Sequence, residues 1–296
     1  MLYLRIVTAV ILIPLIVGAV FFLPSNNYFS YFSIVIAAII LLGAWEWANL
    51  IDLNKIYQKI LFLLSFIIPM IGITFWTQFL ELMATLLEWQ ELKEYSGVVE
   101  WLVIIPVLFW IMMMMLIRQT PTALLELKLK TSTRVFIGWI VLFFAWMFIS
   151  RLHLLYGAEM TMYLLLLIWA ADTAAYFSGK KFGKTKLAEE ISPGKTIEGV
   201  YGALASAILL AMGILGGYYH FSTMNTSDFV LLSVLTVLIS IYGDLFFSLV
   251  KRQKGVKDSG FLLPGHGGIL DRIDSLIAAA PFFYAGILLI GRGVFA

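Results

Sequence analysis

The last quarter of the chain contains two aspartates at a spacing that suits a metal ion. Residues 248–274 read SLVKRQKGVKDSGFLLPGHGGILDRID. Asp271 and Asp274 are three positions apart, so on a helix they share one face, where two carboxylates repel each other unless a cation lies between them. Oxygen ligands suit Mg²⁺, which also binds substrate phosphates. We therefore predict a magnesium site at Asp271 and Asp274, with Asp244 near the end of the preceding apolar run as a further ligand.

Basic residues and glycines surround these aspartates. Four basic residues occur in the seven positions from Lys251 to Lys257, and such groups bind phosphate through charge-assisted hydrogen bonds. Glycines in the turn at 264–268 allow the backbone to approach a ligand closely. The predicted phosphate-binding residues of this stretch are Lys251, Arg252, Lys257, His266, Gly267, Gly268 and Arg272.

A second polar stretch, residues 169–199, reads WAADTAAYFSGKKFGKTKLAEEISPGKTIEG. Asp172 lies in an otherwise apolar run, where an ionisable residue is a functional candidate by default. Ser192 and Lys195 come just before the next apolar run. Lys195 and free backbone N–H groups would therefore meet at a helix N-terminus, which is a ready anion site. The lysines at positions 180–186 fit the usual positive charge beside a membrane span.

The elements that position these residues are predicted to be membrane-spanning helices. Of the 296 residues, 61% are hydrophobic and 13% are charged, whereas soluble domains have roughly 45–50% apolar and about 25% charged residues. Mean hydropathy is +0.96. In lipid only helices and closed barrels satisfy the backbone, and a barrel needs short strands of alternating polarity. Because the apolar runs are long and continuous, we predict an all-α polytopic integral membrane protein.

The lengths of the apolar runs predict the number of spans. A helix crosses the ~30 Å hydrocarbon layer with about 20 apolar residues. We predict about nine transmembrane helices, near residues 4–24, 30–51, 57–78, 98–117, 134–150, 160–178, 197–219, 227–249 and 270–292. No sizeable soluble domain remains between them. We divide the chain into N-terminal transmembrane helices, 1–160, and a C-terminal catalytic transmembrane region, 161–296.

The loop charges predict the orientation in the membrane. Of the 20 Lys and Arg residues, 17 fall on the side of the N-terminus, and cytoplasmic loops carry an excess of such residues. We therefore expect a cytoplasmic N-terminus and an external C-terminus. The external side then includes residues 81–97, a short amphipathic segment whose Leu82, Leu86 and Trp89 recur at helical spacing, as is typical of an interfacial helix.

Composition excludes several other classes of function. The chain has no cysteine, so thiolate metal sites and a cysteine nucleophile are excluded. Its net charge of +2 is too small to favour nucleic-acid binding. An ion pathway would place some acids near mid-membrane or on the external face. The acids within or at the edges of spans instead lie toward the predicted cytoplasmic half: Glu46, Asp172, Glu198, Asp244, Asp271 and Asp274.

Residues 248–274 resemble the signature of the CDP-diacylglycerol synthases, also called phosphatidate cytidylyltransferases. The matching residues are Ser248, Lys251, Arg252, Lys257, Asp258, Gly260, Pro264, Gly265, His266, Gly267, Gly268, Asp271, Arg272 and Asp274. Residues 172–173 and 192–199 are also similar to this family, and residues 45–47 more weakly. The resemblance implies that CTP and phosphatidic acid react to give CDP-diacylglycerol and pyrophosphate. It also implies Mg²⁺, a homodimer, and an active site on the cytoplasmic side of the inner (plasma) membrane.

The chemistry that this reaction needs leads us to assign roles to individual residues. Asp244 and Asp271 are expected to bind metal, Asp274 to be a third ligand or to support one, and a second cation is left open. Lys195 is expected in the catalytic set, and Asp258 would bind cytidine or orient a lysine. Two other readings remain. A CTP-dependent isoprenoid alcohol kinase would share the membrane setting and the phosphate chemistry, and an ion-coupled transporter would use the membrane carboxylates.

Overall fold

The computed structural model describes residues 2–25, 30–217, 226–263, 265 and 267–294. Within these ranges the chain forms ten α-helices, one 3-10 helix and one two-stranded hairpin. The elements of the first half are α1 (Leu2–Phe22), α2 (Phe32–Leu50), α3 (Ile56–Thr74), α4 (Trp76–Leu86), the 3-10 helix (Gln90–Val103), α5 (Ile104–Gln119) and α6 (Pro121–Glu126).

The second half is built from four long helices and the hairpin. The antiparallel strands pair Lys186 with Thr196 and Ala188 with Ser192, and the hairpin connects the end of one long helix to the start of the next. The elements are α7 (Thr131–Phe182), β1 (Lys186–Ala188), β2 (Ser192–Thr196), α8 (Ile197–Gly217), α9 (Thr226–Lys254) and α10 (Leu270–Val294).

Seven helical stretches of the described residues are long and apolar enough to cross a membrane. Part of α1, Val10–Phe22, is a shorter apolar helix in the region of the first predicted span. The chain is therefore an all-α, multi-pass membrane protein, which confirms the predicted fold class. The seven stretches are Phe32–Leu50, Ile56–Thr74, Gln90–Gln119, Thr131–Phe182, Ile197–Gly216, Thr226–Lys254 and Leu270–Ile290.

Helix α7 contains two of the predicted spans, 134–150 and 160–178. It has 52 residues, so a straight helix would be about 78 Å long, against a hydrocarbon layer of about 30 Å. Gly157 interrupts it with non-helical dihedral angles, φ 84° and ψ 176°. This backbone conformation is open essentially only to glycine. Gly157 therefore divides α7 into two helical stretches, where the sequence predicts two spans joined by a short loop.

The amphipathic segment near residues 81–97 is helical, but it is not one helix. Helix α4 ends at Leu86 and the 3-10 helix begins at Gln90. Between them Glu88 has a positive φ of 52°, which an α-helix does not accommodate. Leu82, Leu86 and Trp89 are exposed, so their apolar side chains are available to a membrane interface.

Glycines bring the helices of the second half close together. A Cβ built on Gly243 of α9 would lie 2.5 Å from the Cβ of Ala278 of α10. A Cβ on Gly202 of α8 would lie 2.1 Å from the hydroxyl of Ser178 on α7. Small residues allow such close approach of helices in membranes. The charged ends of α7, α8, α9 and α10 consequently meet at one end of the bundle.

Candidate active site

A cavity of about 380 Å³ lies between α7, the hairpin, α8 and α9. Its charged lining residues are Asp172 and Lys180 of α7, Lys195 of β2 and Asp244 of α9. The remaining wall combines the glycines Gly179, Gly194 and Gly199 with larger residues such as Tyr176 and Leu187. The structure therefore brings together three predicted site residues, Asp172, Lys195 and Asp244, around one space.

Lys195 and Asp244 form an ion pair across this cavity. The Lys195 ammonium lies 2.7 Å from Oδ2 of Asp244, and it also donates to the carbonyl oxygen of Ile241 at 3.2 Å. The Ser248 hydroxyl donates to Oδ1 of Asp244 at 3.2 Å. Lys195 comes from the last part of the hairpin, so the hairpin positions a cation against the inner surface of α9.

The second ion pair lies between Lys251 and Asp271, at 2.6 Å. The other oxygen of Asp271, Oδ2, accepts hydrogen bonds from the Ser259 backbone N–H at 2.8 Å, the Ser259 hydroxyl at 3.0 Å and the Gly268 backbone N–H at 3.0 Å. Asp271 therefore has four donors, and three of them belong to the glycine-rich loop that connects α9 to α10.

The two ion pairs belong to one electrostatic cluster. Lys251 interacts electrostatically with Asp244 and with Asp274. Lys195 likewise interacts electrostatically with Asp172 and Asp274. At least four carboxylates thus share two lysines at one end of the bundle, an arrangement in which each ammonium offsets repulsion between several negative groups.

The carboxylates have the chemistry of a magnesium site but are occupied by lysines. Among the described residues, no three Asp, Glu or His side chains lie close enough together to enclose a metal ion. The hard oxygen atoms of Asp244, Asp271 and Asp274 are of the kind that Mg²⁺ prefers. A bound cation would have to take the place of the ammonium groups of Lys195 and Lys251.

The β2–α8 junction has the geometry expected of a helix start. The Thr196 hydroxyl oxygen accepts the Gly199 N–H at 3.1 Å, which is the usual capping contact at a helix N-terminus. Glu198 accepts the backbone N–H groups of Lys184 and Thr185 at 3.1 and 3.2 Å. These contacts fasten the hairpin to α8 and fix the position of Lys195.

Other predicted residues lie around the cluster rather than in its centre. The Arg252 guanidinium donates to the carbonyl oxygens of Ile191 and Val256, at 3.4 and 3.2 Å, and so connects the end of α9 to the hairpin. Ser192 pairs with Ala188 in the hairpin. Arg272 is exposed and interacts electrostatically with Asp172.

The loop residues of the predicted phosphate site are largely exposed. Lys257 and Asp258 are both exposed. Gly267 has a positive φ of 80°, and a Cβ on it would lie 3.4 Å from the Cβ of Asp258 and 2.9 Å from Oδ2 of Asp271. His266 lies outside the described residues.

Glu46 is a site residue that the sequence did not assign. It lies in α2 and is only 2% exposed, and its carboxylate accepts the backbone N–H groups of Ile269 and Leu270, each at 2.9 Å. The Ser259 hydroxyl donates to it at 2.8 Å. The available signal was a lone carboxylate between two tryptophans in an apolar run, but its partners lie more than 200 residues away along the chain.

The fold and the site define an integral membrane protein that concentrates carboxylates and lysines at one end of its helices, and the lysines are of the kind that bind phosphate groups. The chain belongs to the cytidylyltransferase family, whose family model matches residues 3–290.

Two relatives match over nearly the whole length of the chain, and a third matches over less than half of it. The phosphatidate cytidylyltransferase of Haemophilus influenzae is 37% identical over 302 aligned positions, covering 94% of this chain and 96% of the relative. That of Pseudomonas aeruginosa is 35% identical over 309 positions, covering 98% of each chain. The phosphatidate cytidylyltransferase of Bacillus subtilis is 42% identical over 132 positions, covering 44% of this chain and 47% of the relative.

Proposed function

We propose that this chain transfers the cytidylyl group of CTP to phosphatidic acid, giving CDP-diacylglycerol and pyrophosphate for phospholipid biosynthesis. The observation that carries the proposal is the placement of Lys195 and Lys251 against carboxylates at one end of the bundle, at 2.7 and 2.6 Å. The two relatives aligned over almost the whole chain are both phosphatidate cytidylyltransferases. Their names give the substrates, and the cluster supplies groups suited to bind them.

The setting we propose has nine membrane crossings, with the N-terminus and the active site on the cytoplasmic side of the inner membrane. The distribution of Lys and Arg supports this orientation. CTP would reach the cavity from the cytoplasm, while the diacyl tails of phosphatidic acid stay in lipid. Only the lipid headgroup then has to leave the interface. A homodimer is part of the same proposal.

The reaction needs no side-chain nucleophile. Phosphatidic acid supplies the attacking oxygen from its own phosphate group. The second pKa of that phosphate is about 6, so the phosphate is mostly dianionic at cytoplasmic pH. This oxygen attacks the α-phosphorus of CTP, and the bond from that phosphorus to the pyrophosphate oxygen breaks. Positioning and electrostatic stabilisation carry most of the catalysis in such transfers.

In this chain, positively charged groups would stabilise the negative charge of the reacting phosphates. Lys195 and Lys251 would exchange their carboxylates for the phosphates of CTP and of the lipid, since phosphate oxygens also accept charge-assisted hydrogen bonds from an ammonium group. Asp244, Asp271 and Asp274 would have to move closer together than in the described structure to hold Mg²⁺, and the bound ion would supply positive charge for the nucleotide phosphates. A second cation is part of the proposal. The residues proposed to contact substrates are Asp172, Ser192, Arg252, Lys257, Asp258, His266, Gly267, Gly268 and Arg272.

Pyrophosphate release by the purified protein tests the activity. We expect release only when CTP, Mg²⁺ and phosphatidic acid are all present. Release with an isoprenoid alcohol in place of phosphatidic acid would point to the alternative kinase. Ion flux in liposomes without CTP would point to a transporter.

Replacing Asp271 by Asn tests the carboxylate assignment. We expect turnover to fall by roughly 100-fold or more, because the variant lacks a charge that would support the transition state. Each tenfold loss of rate corresponds to about 1.4 kcal/mol of lost transition-state stabilisation. Asp228→Asn, in the first turn of α9, is the control and should retain activity. Asp274→Asn gives a second measurement if the first variant fails to fold. Near-normal Mg²⁺-dependent turnover by folded Asp271→Asn would contradict the assignment.

A further inference from the structure

A buried carboxylate on α2 supports the loop that precedes α10. Glu46 is 2% exposed, and of the salt bridges between described residues none includes it. A buried charge is costly unless hydrogen bonds satisfy it. Glu46 therefore depends on its neighbours, and those neighbours are all in residues 259–270.

Two of the donors are backbone N–H groups at the start of α10. Ile269 and Leu270 donate to Oε1 and Oε2 of Glu46, each at 2.9 Å. The first N–H groups of a helix have no partner within the helix, and the helix dipole favours a negative charge there. Glu46 thus caps α10 from another helix, more than 200 residues away in sequence.

The loop is shaped around this carboxylate. A Cβ on Gly260 would lie 2.5 Å from Oε1 of Glu46, and a Cβ on Gly268 would lie 2.3 Å from Oε2. Atoms cannot approach that closely without a shift of the backbone or of the buried side chain. Glycine at both positions therefore allows the chain to pass over Glu46 on two sides.

Ser259 connects Glu46 to the proposed catalytic cluster. Its hydroxyl lies 2.8 Å from Oε2 of Glu46 and 3.0 Å from Oδ2 of Asp271. Asp271 in turn pairs with Lys251. A displacement of Glu46 would consequently move the N-terminus of α10, which carries both Asp271 and Asp274.

We propose that Glu46 is a positioning residue, which holds Ser259, Ile269 and the start of α10 so that Asp271 and Asp274 face Lys251. The link to catalysis rests on the proposed function, whereas the support of the loop does not. Glutamine cannot replace Glu46 fully, because its NH₂ group would face hydrogen-bond donors and the charge at the helix N-terminus would be lost.

Glu46→Gln and Glu100→Gln form a matched pair of variants for kinetics. Glu100 is also a buried glutamate, 6% exposed, and it binds Arg151 and Tyr284. Tyr284 is about 21 Å further along α10 than Leu270. We expect Glu46→Gln to lower kcat at least 20-fold and to raise the Mg²⁺ concentration for half-maximal activity several-fold. Glu100→Gln should lose thermal stability while its Mg²⁺ requirement stays unchanged.

Glu46→Asp separates charge from reach. Aspartate keeps the negative charge but is one methylene shorter, so we expect it to recover part of the lost kcat. Equal shifts of the Mg²⁺ requirement in Glu46→Gln and Glu100→Gln would mean that any buried glutamate has the same effect, and would overturn the positioning role.

A spin label tests the loop without reference to activity. The full-length chain has no cysteine, and Phe261 is 94% exposed in the loop, so Phe261→Cys gives a single labelling site. We expect Glu46→Gln, but not Glu100→Gln, to increase the mobility of this label. Unchanged mobility in Glu46→Gln would overturn the proposal. The two proposals can fail separately. If Glu46→Gln increases the mobility of the label but the wild type does not turn over CTP, the loop anchor is supported and the proposed function is contradicted.

Discussion

Lys195 lines the cavity of the candidate site, where a carboxylate of the same cavity holds its ammonium group. Its ammonium contacts Asp244 at 2.7 Å and the carbonyl oxygen of Ile241 at 3.2 Å, while the residue lines the cavity beside Lys180. A lysine whose ammonium group is held at the wall of a cavity is well placed to exchange its carboxylate for the phosphate of a ligand. The pairing of β1 with β2 fixes the backbone of Lys195.

Lys195→Met should lower kcat/KM for CTP by roughly 10- to 150-fold, because a hydrogen bond to a charged group contributes about 1.5–3 kcal/mol. Lys181→Met is the control, since Lys181 is exposed and its ammonium lies over the ring of Phe182 at 5.1 Å. It removes the same charge from the same end of the bundle. Steady-state pyrophosphate release measures both variants, and an equal loss in the two would mean that only overall charge matters.

At the scale of elements, the break in α7 depends on one residue. Gly157 has φ 84° and ψ 176°, and a Cβ on it would meet nothing within 4 Å. Space is therefore available for a side chain, but the backbone conformation disfavours one. The break in α7 consequently rests on the conformational freedom of glycine rather than on packing.

Gly157→Ala should destabilise the fold by about 1–3 kcal/mol, the usual cost of such a conformation in a residue with a side chain. Gly72→Ala in α3 is the control, because a Cβ there also meets nothing within 4 Å and alanine favours a helix interior by about 0.5–1 kcal/mol. The apparent Tm in one detergent should fall for Gly157→Ala and stay or rise for Gly72→Ala. A Tm for Gly157→Ala equal to that of wild type would contradict the role given to Gly157.

At the scale of the whole molecule, the bundle has a charged cluster at one end and a separate buried ion pair elsewhere. Glu100 binds Arg151 and Tyr284, and so connects the 3-10 helix, α7 and α10. Buried aromatic side chains pack near the second group, with Phe148 against Tyr284. This distribution matches a protein whose chemistry is confined to one face of the membrane.

Cysteine labelling tests that sidedness. Single cysteines in residues 180–186 and in residues 81–97 should react with a membrane-impermeant reagent from opposite sides of the membrane, because Lys and Arg concentrate on the cytoplasmic side. The native chain has no cysteine, so each variant reports one position, and permeabilised membranes provide the control for reactivity. Labelling of both segments from the same side would contradict the proposed topology.

The sequence by itself determined the fold class and the parts of the chain that carry the site. Long apolar runs predict helices because lipid offers the backbone no other hydrogen-bond partner, and the described helices confirm an all-α membrane protein. The motif at 248–274 led to the family, and the comparisons confirmed it. The count of nine spans, the division near residue 160, the metal and the residue roles stay predictions.

Tertiary structure alone decided which charges meet. The pairs of Lys195 with Asp244 and of Lys251 with Asp271 depend on how α9 packs against the hairpin and α10. The contacts of Glu46 with Ile269 and Leu270 depend on where α2 lies. The sequence could not show these partners, because the apolar faces that set helix packing in lipid have almost the same composition on every side. Hydrophobicity therefore determines that each helix lies in the membrane. Which helices pack against one another depends on how their small and large side chains fit together.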